Sequence, residues 1–306
     1  MNISDSVNKR ILHVCNCEYD YFLRKPYVVG VGLGYKIARG INTLQKCIKV
    51  FVEKKVTIDE LNEGQLIPLI YKGLLTDVVE TGCITSSSLT QRIRPVLCGY
   101  NISPVSKEFG GTMGCVVTDG KFYYILSNNH VIALNGKYPI ETPIIQPSGK
   151  FHGKAPEDTI AELSKYIPMK PSKRSEIFEN FVDCAIGKVT RRSQISTKLA
   201  FVGRIKGVVF PKIGKKVQIV GAFSERRYGQ INALGVSTNI QFDGKKYLFK
   251  NQIFTTKMAQ PGDSGSILLD DNINAVGMLM SGSKSLDVFN SITTVLSSLN
   301  VRIVTG

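Results

Sequence analysis

The chain has 306 residues, 43% hydrophobic and 21% charged, enough for a sizeable core and about two domains. That composition excludes a disordered or low-complexity chain, and no apolar run approaches the roughly 20 residues of a membrane-spanning helix. The formal net charge is +15, unevenly spread, with 13 Lys+Arg against 9 Asp+Glu in residues 1–104 and 26 against 15 beyond. The excess favours acidic partners, but the basic residues stand in scattered pairs ("TRRSQ", "GKKVQ", "SERRYG"), so a solvated basic surface is expected in place of a nucleic-acid groove.

The opening "MNISDSVNKRILHVCNCEYDYF" carries Asp, Glu, Asn and Cys through the would-be apolar region and does not read as a signal peptide. Seven cysteines (Cys15, Cys17, Cys47, Cys83, Cys98, Cys115, Cys184) cannot all pair within one chain. Free thiols in a reducing cytoplasm are expected. "HVCNC" sets His13, Cys15 and Cys17 at alternate positions, one face of a strand if it is one, but the Cys-x-Cys lacks a second half and no metal site is expected. Residues 26–100 form one unit by pattern. "PYVVGVGLGYKI" and "KCIKVFVEKK" alternate as strands do, around a glycine-bearing connection "ARGINTLQ", with a short helix starting at Thr57. "GVGLG" places Tyr35 where a dinucleotide fingerprint needs its third glycine, so a glycine-rich strand or hairpin is expected. From about Gly110 many short β runs follow, separated by Gly, Asn and Asp-Gly turns, among them two-residue hairpins at Asp119-Gly120 and Asp243-Gly244. "SLDVFNSITTVLSSLNV" has a helical 3–4 spacing and reads as a C-terminal helix.

"MAQPGDSGSILL", residues 258–269, raises the question of a nucleophile. A serine hydrolase needs an imidazole to take the serine proton and a carboxylate to orient it. The chain has three histidines, His13, His130 and His152, and none follows Ser264, which excludes the order Ser, Asp, His. His130 ends the strand-like "FYYILSNNHV". Of the aspartates between it and Ser264, Asp158 reads as a turn or helix-start residue and Asp243 as a hairpin residue. Asp183 interrupts the apolar run "NFVDCAIGKV", where a carboxylate is costly unless it finds donors. Gly262 allows a tight loop whose amides, those of Gly262 and Ser264, can form an oxyanion hole.

"ILSNNHVIA", "VDCAIGKV" and "QPGDSGSILL" together resemble the histidine, aspartate and serine motifs of chymotrypsin-like (trypsin-fold) serine peptidases. The front half, with "IRPVLCGYNIS…GTMGCVVTDG", is similar to the Nal1-like type, which carries a small α+β domain ahead of the peptidase domain. The resemblance implies a mainly β protein: a double β-barrel trypsin-like domain at 105–306 with a C-terminal helix, after an α+β domain at 1–104. It implies that His130 is the general base, Asp183 its orienter and Ser264 the nucleophile. Met258 stands where trypsins keep the carboxylate at the base of the specificity pocket, so cleavage after Lys or Arg is not implied and the position is compatible with an apolar pocket. Ser281 and Gly282, in "MSGS", would form one wall. The second glycine usual after the nucleophile is Ser266 here, and Asp263 would need a partner other than the freshly cut N-terminus of secreted relatives, or none.

The expected activity is therefore intracellular endoproteolysis through an acyl-enzyme, with no cofactor. The substrate is a protein, one dedicated partner if the chain resembles relatives in bacterial antiviral defence that activate an effector. Self-association is compatible with the sequence. The alternatives are a catalytically silent binding module with a basic surface, a nucleic-acid-binding protein, and a cysteine nucleophile at Cys115 or Cys184. Cys184 should face away from Asp183 in a strand.

Overall fold

The computed structural model describes residues 3–82, 89–105, 110–173 and 175–305; Cys83 lies outside them. The chain is mainly β and divides into two compact units, residues 1–87 and 88–306. Residues 88–104 contribute the strands Val96–Cys98 and Asn101–Pro104 to sheets of the second unit. The sequence cue for a junction before them is the polar run "TSSSLT" at 85–90.

The first unit opens with two helices, α1 (Ile3–Cys17) and α2 (Tyr19–Leu23). Four strands follow: β1 (Val28–Ala38), β2 (Ile41–Val52), β3 (Ile70–Tyr71) and β4 (Leu74–Glu80), in the order β1-β2-β4-β3. Val7, Ile11 and Val14 recur at helical spacing and pack on Phe22, Ile48, Val50 and Leu74. His13, Cys15 and Cys17 are thus helical and do not share the strand face their alternation suggests; His13 instead meets Glu18 at 3.8 Å. The glycine-rich stretch is a strand, as read. β1 pairs antiparallel with β2, and the Phe51 ring and Lys49 stem of β2 cover its glycines. The connection is only Arg39 and Gly40, both at positive φ. Thr57 precedes one 3₁₀ turn, Ile58–Glu60.

In the second unit, one eight-stranded sheet curls on itself. The continuous segment Gly111–Thr118 pairs with Asn101–Ile102 at its start and with Tyr123–Leu126 at its end, which joins the two sides of the sheet, and Arg302–Ile303 adds a last short strand beside Val117–Thr118. The other large sheet closes fully. Leu286–Ser291 pairs with Lys245–Thr256 on one side and with Asn274–Gly282 on the other, which leaves no open edge between them. The two barrels meet through a shared apolar core in which Val220, Ile267 and Met278 join Val117, Ile125 and Leu126. The hairpin Glu225–Phe242/Lys245–Thr256 is long, and Asp243 and Gly244, both at positive φ, turn it as the sequence predicts. At Asp119 the link is longer than two residues, because its carboxylate takes the amides of Lys121 and Phe122. The C-terminal helix is Ile292–Leu299 and buries Ile292, Val295 and Leu299. Val288, expected on it, lies in the barrel-closing strand. No helix among the described residues is long and apolar enough to cross a membrane.

Candidate active site

Three chain segments converge at the barrel junction. The strand Tyr123–Ser127 ends in the short helix Asn129–Ile132, which carries His130. Asp183 sits just ahead of the strand Ala185–Val189 and is fully buried. Its Oδ1 accepts the backbone N–H of His130 at 3.0 Å, and its Oδ2 bonds the His130 Nδ1. The buried carboxylate thus fixes both the backbone and the ring of the histidine, the compensation its burial requires. Asn290, on the barrel-closing strand, accepts the Asp183 N–H at 2.9 Å and donates to Gln252 at 2.7 Å. Asn128 donates to the Asp183 carbonyl at 2.7 Å.

Asn290→Ala removes the acceptor and leaves a buried N–H unpaired, at a cost of about 1–3 kcal/mol. A fall in kcat with KM little changed, read by steady-state kinetics, is the expected signature of a slackened Asp183. A loss of stability alone would give Asn290 a purely structural role.

Ser264 lies in the loop joining the strands that end at Thr256 and begin at Ile267. Gly262 and Gly265 flank it, both at φ +98°. A Cβ at Gly262 would stand 2.4 Å from the Phe223 ring, and one at Gly265 2.4 Å from the Thr112 carbonyl oxygen, so only glycine fits either place. Thr112 ties this loop to the first barrel. Its N–H donates to the Ser264 carbonyl at 2.8 Å and its hydroxyl to the Gly262 carbonyl at 3.1 Å. Asp263 is fully buried. Its Oδ1 accepts the amides of Phe223 (2.8 Å) and Ser224 (3.0 Å), and its Oδ2 that of Gln260 (2.8 Å). These amides are the partners of Asp263, and they hold the loop from inside the unit. Ser266 donates its hydroxyl to the Asp263 carbonyl at 2.6 Å.

The backbone amides of this loop divide sharply. Those of Asp263, Gly265 and Ser266 donate to Gln260, Leu279 and Asp263 carbonyls, whereas those of Gly262 and Ser264 donate to no acceptor among the described residues. Two neighbouring unspent donors beside a serine can receive an oxyanion.

His130 and Ser264 border one cavity of about 540 Å³, which Ser281 and Gly282 also line. Met258 does not line it. Its side chain is buried in the second barrel's core, against Gly229; it stands in the loop just past Thr256, where its backbone N–H is held by the buried Asp287 carboxylate. The charged groups at the cavity are Lys257, Lys284 and Asp287, which sequence reasoning missed. Phe242, at the tip of the long hairpin, stacks on the His130 ring with centroids 5.2 Å apart and planes at 28°. Nothing local in the sequence marks this residue.

Cys115 and Cys184 are not placed to act as the nucleophile, since both are buried and neither lines the cavity. Burial pushes Cys115 and Cys184 well above the ordinary thiol range and Cys98 up to about 12, so none is a thiolate at neutral pH. The six described cysteines are all free. His13 belongs to the first unit, and His152 lies in a left-handed turn after Gly149–Phe151, outside the cavity.

No protein-family model matches the sequence, and neither does any curated protein. Solved structures do match. The chymotrypsin of Cellulomonas bogoriensis is 17% identical, with a TM-score of 0.50 over 69% of this chain and 99% of that one. A serine protease specific for glutamic acid, which uses a histidine triad in substrate binding, is 18% identical, with a TM-score of 0.50 over 68% of this chain and 100% of that one. The chain thus has the chymotrypsin/trypsin serine-protease fold.

Proposed function

We propose that this protein is a serine endopeptidase with Ser264 as nucleophile, His130 as general base and Asp183 as its orienter. The observation that carries this reading is the meeting, at one cavity, of Ser264 with a histidine whose Nδ1 is held by a buried aspartate. His130 Nε2 takes the Ser264 proton as Oγ attacks the peptide carbonyl, and the oxyanion receives the N–H groups of Gly262 and Ser264. The C–N bond then breaks as His130 returns the proton to the leaving amine, leaving an ester on Ser264. Water, deprotonated by His130, attacks the ester; the acid product leaves and the serine recovers its proton.

The narrower readings rest on the resemblance to the Nal1-like type, and the α+β build of residues 1–87 supports it. They are a dedicated protein substrate, such as a defence effector, and a cytoplasmic setting. The free thiols of the described cysteines support a reducing compartment.

Hydrolysis of an unfolded protein substrate by the purified chain tests the activity. Ser264→Ala is expected to lower it by about 10⁴-fold or more, with the thermal midpoint retained. Hydrolysis that survives this change would remove Ser264 from the chemistry.

A further inference from the structure

The cavity beside Ser264 is not purely apolar: among apolar walls such as Leu279 and Met280 it carries Lys257, Lys284 and Asp287. Its one carboxylate among the described residues, Asp287, is fully buried and already engaged. Oδ1 accepts the Lys257 ammonium at 2.6 Å, and Oδ2 accepts the amides of Met258 at 2.6 Å and Ala259 at 2.9 Å. The pair lies against the cavity wall at Gly282, where a Cβ would stand 2.3 Å from Asp287 Oδ1 and 2.9 Å from Lys257 Nζ. The Lys257 side chain keeps 37% of its surface exposed. An ammonium has three donors, of which this pair uses one. Lys284, exposed, adds a second cation to the lining.

We propose that this cavity takes an acidic side chain, glutamate or aspartate, on the residue whose carbonyl Ser264 attacks, with Lys257 as the main partner of its carboxylate. The proposal rests on the peptidase reading above. A basic guest would meet two ammonium groups and could reach Asp287 only by displacing Lys257. An apolar guest would strip water from Lys257 and return no acceptor. An acidic guest completes the hydrogen bonding of Lys257 while leaving its bond to Asp287 in place, and like-charge rejection supplies the discrimination.

The test uses one peptide sequence in three forms, with Glu, Leu or Lys at the position before the cut. For the full chain, kcat/KM is expected to fall in that order, Glu leading Leu by about tenfold or more. In Lys257→Ala the Asp287 carboxylate faces the cavity, so the Glu peptide loses about tenfold or more and the Lys peptide gains. Lys284→Ala, which leaves no buried charge unpaired, lowers the Glu preference by about threefold.

Binding of the matching product peptides, ending in Glu, Leu or Lys, to Ser264→Ala reads the pocket without the chemistry. If the Leu or Lys form binds as well as the Glu form, the assignment is overturned, whatever Ser264 does. If the Glu form is preferred but none of the substrates is cut, the pocket assignment stands and the peptidase reading falls. An unchanged Glu-to-Lys ratio in folded Lys257→Ala would also overturn the assignment.

Discussion

Asp183→Asn is expected to lower kcat by about 10⁴-fold while the protein stays folded. Asp183 accepts from His130 twice, at the backbone N–H and at Nδ1. An asparagine can keep the first bond through its oxygen, but its NH₂ then faces Nδ1 and donates to it. That places the ring proton on Nε2, the atom that must receive the Ser264 proton, and the base is lost without any change of shape. KM should move little, since Asp183 is buried away from substrate. Asp158→Asn is the natural contrast. Asp158 is also buried, but it binds Arg92 at 2.6 Å and the Lys154 amide at 3.0 Å, outside the cavity. Its loss should lower stability and leave kcat near the parent value. Equal kcat for the parent and Asp183→Asn would detach the histidine from catalysis.

Gly265→Ala should cost at least about 3 kcal/mol of stability, a large part of the margin of a folded domain. Its Cβ would lie 2.4 Å from the Thr112 carbonyl oxygen and 2.5 Å from Ser127 Oγ, in a left-handed backbone conformation. Neither neighbour is free to retreat. The Thr112 carbonyl accepts the Ser127 hydroxyl at 2.8 Å, and the Thr112 N–H is spent on the Ser264 carbonyl at 2.8 Å. The backbone of the loop must therefore move, taking Ser264 and its unspent amide with it. Chemical denaturation should show a clear fall in midpoint, together with loss of activity in whatever fraction stays folded. Gly120→Ala separates conformation from crowding. Gly120 has φ +96° but nothing within 4 Å of the added carbon, so it should cost only about 1 kcal/mol. Comparable costs at both positions would mean that the contacts around Thr112 carry little.

What the sequence makes legible follows from how local each signal is. Asp183 stands out because a carboxylate in an apolar run demands buried donors, and His130 supplies two of them. The same reasoning applies to Asp287 in "SLDVFNS", yet the 3–4 spacing from Val288 onward favours a helix there. The strand that holds Asp287 and Asn290 is hidden under that pattern. Met258 shows a different limit. Its distance from Ser264 along the chain suggests the pocket floor, but the loop backbone there is fixed by a residue far along the chain, Asp287, and the side chain enters the core. Thr112 and Phe242 have no local signal at all; one acts through a contact between barrels, the other through the length of a hairpin. In the first unit the helical spacing of Val7, Ile11 and Val14 was available, and the shorter alternation of "HVCNC" competes with it. The glycine-rich strand and the short β runs, by contrast, rest on patterns contained within single segments, and the double barrel and the candidate triad on the resemblance that three such segments carry.

The central claim is that Ser264 is activated by His130 and not merely placed in a tight turn. Treating the native protein with a fluorophosphonate and locating the adduct by mass spectrometry tests it most directly, with His130→Ala alongside. The account predicts a single adduct on Ser264, with a labelling rate about 10³-fold or more lower in the variant. Well-folded protein that stays unlabelled, or a His130→Ala variant that labels as fast as the parent, would contradict it.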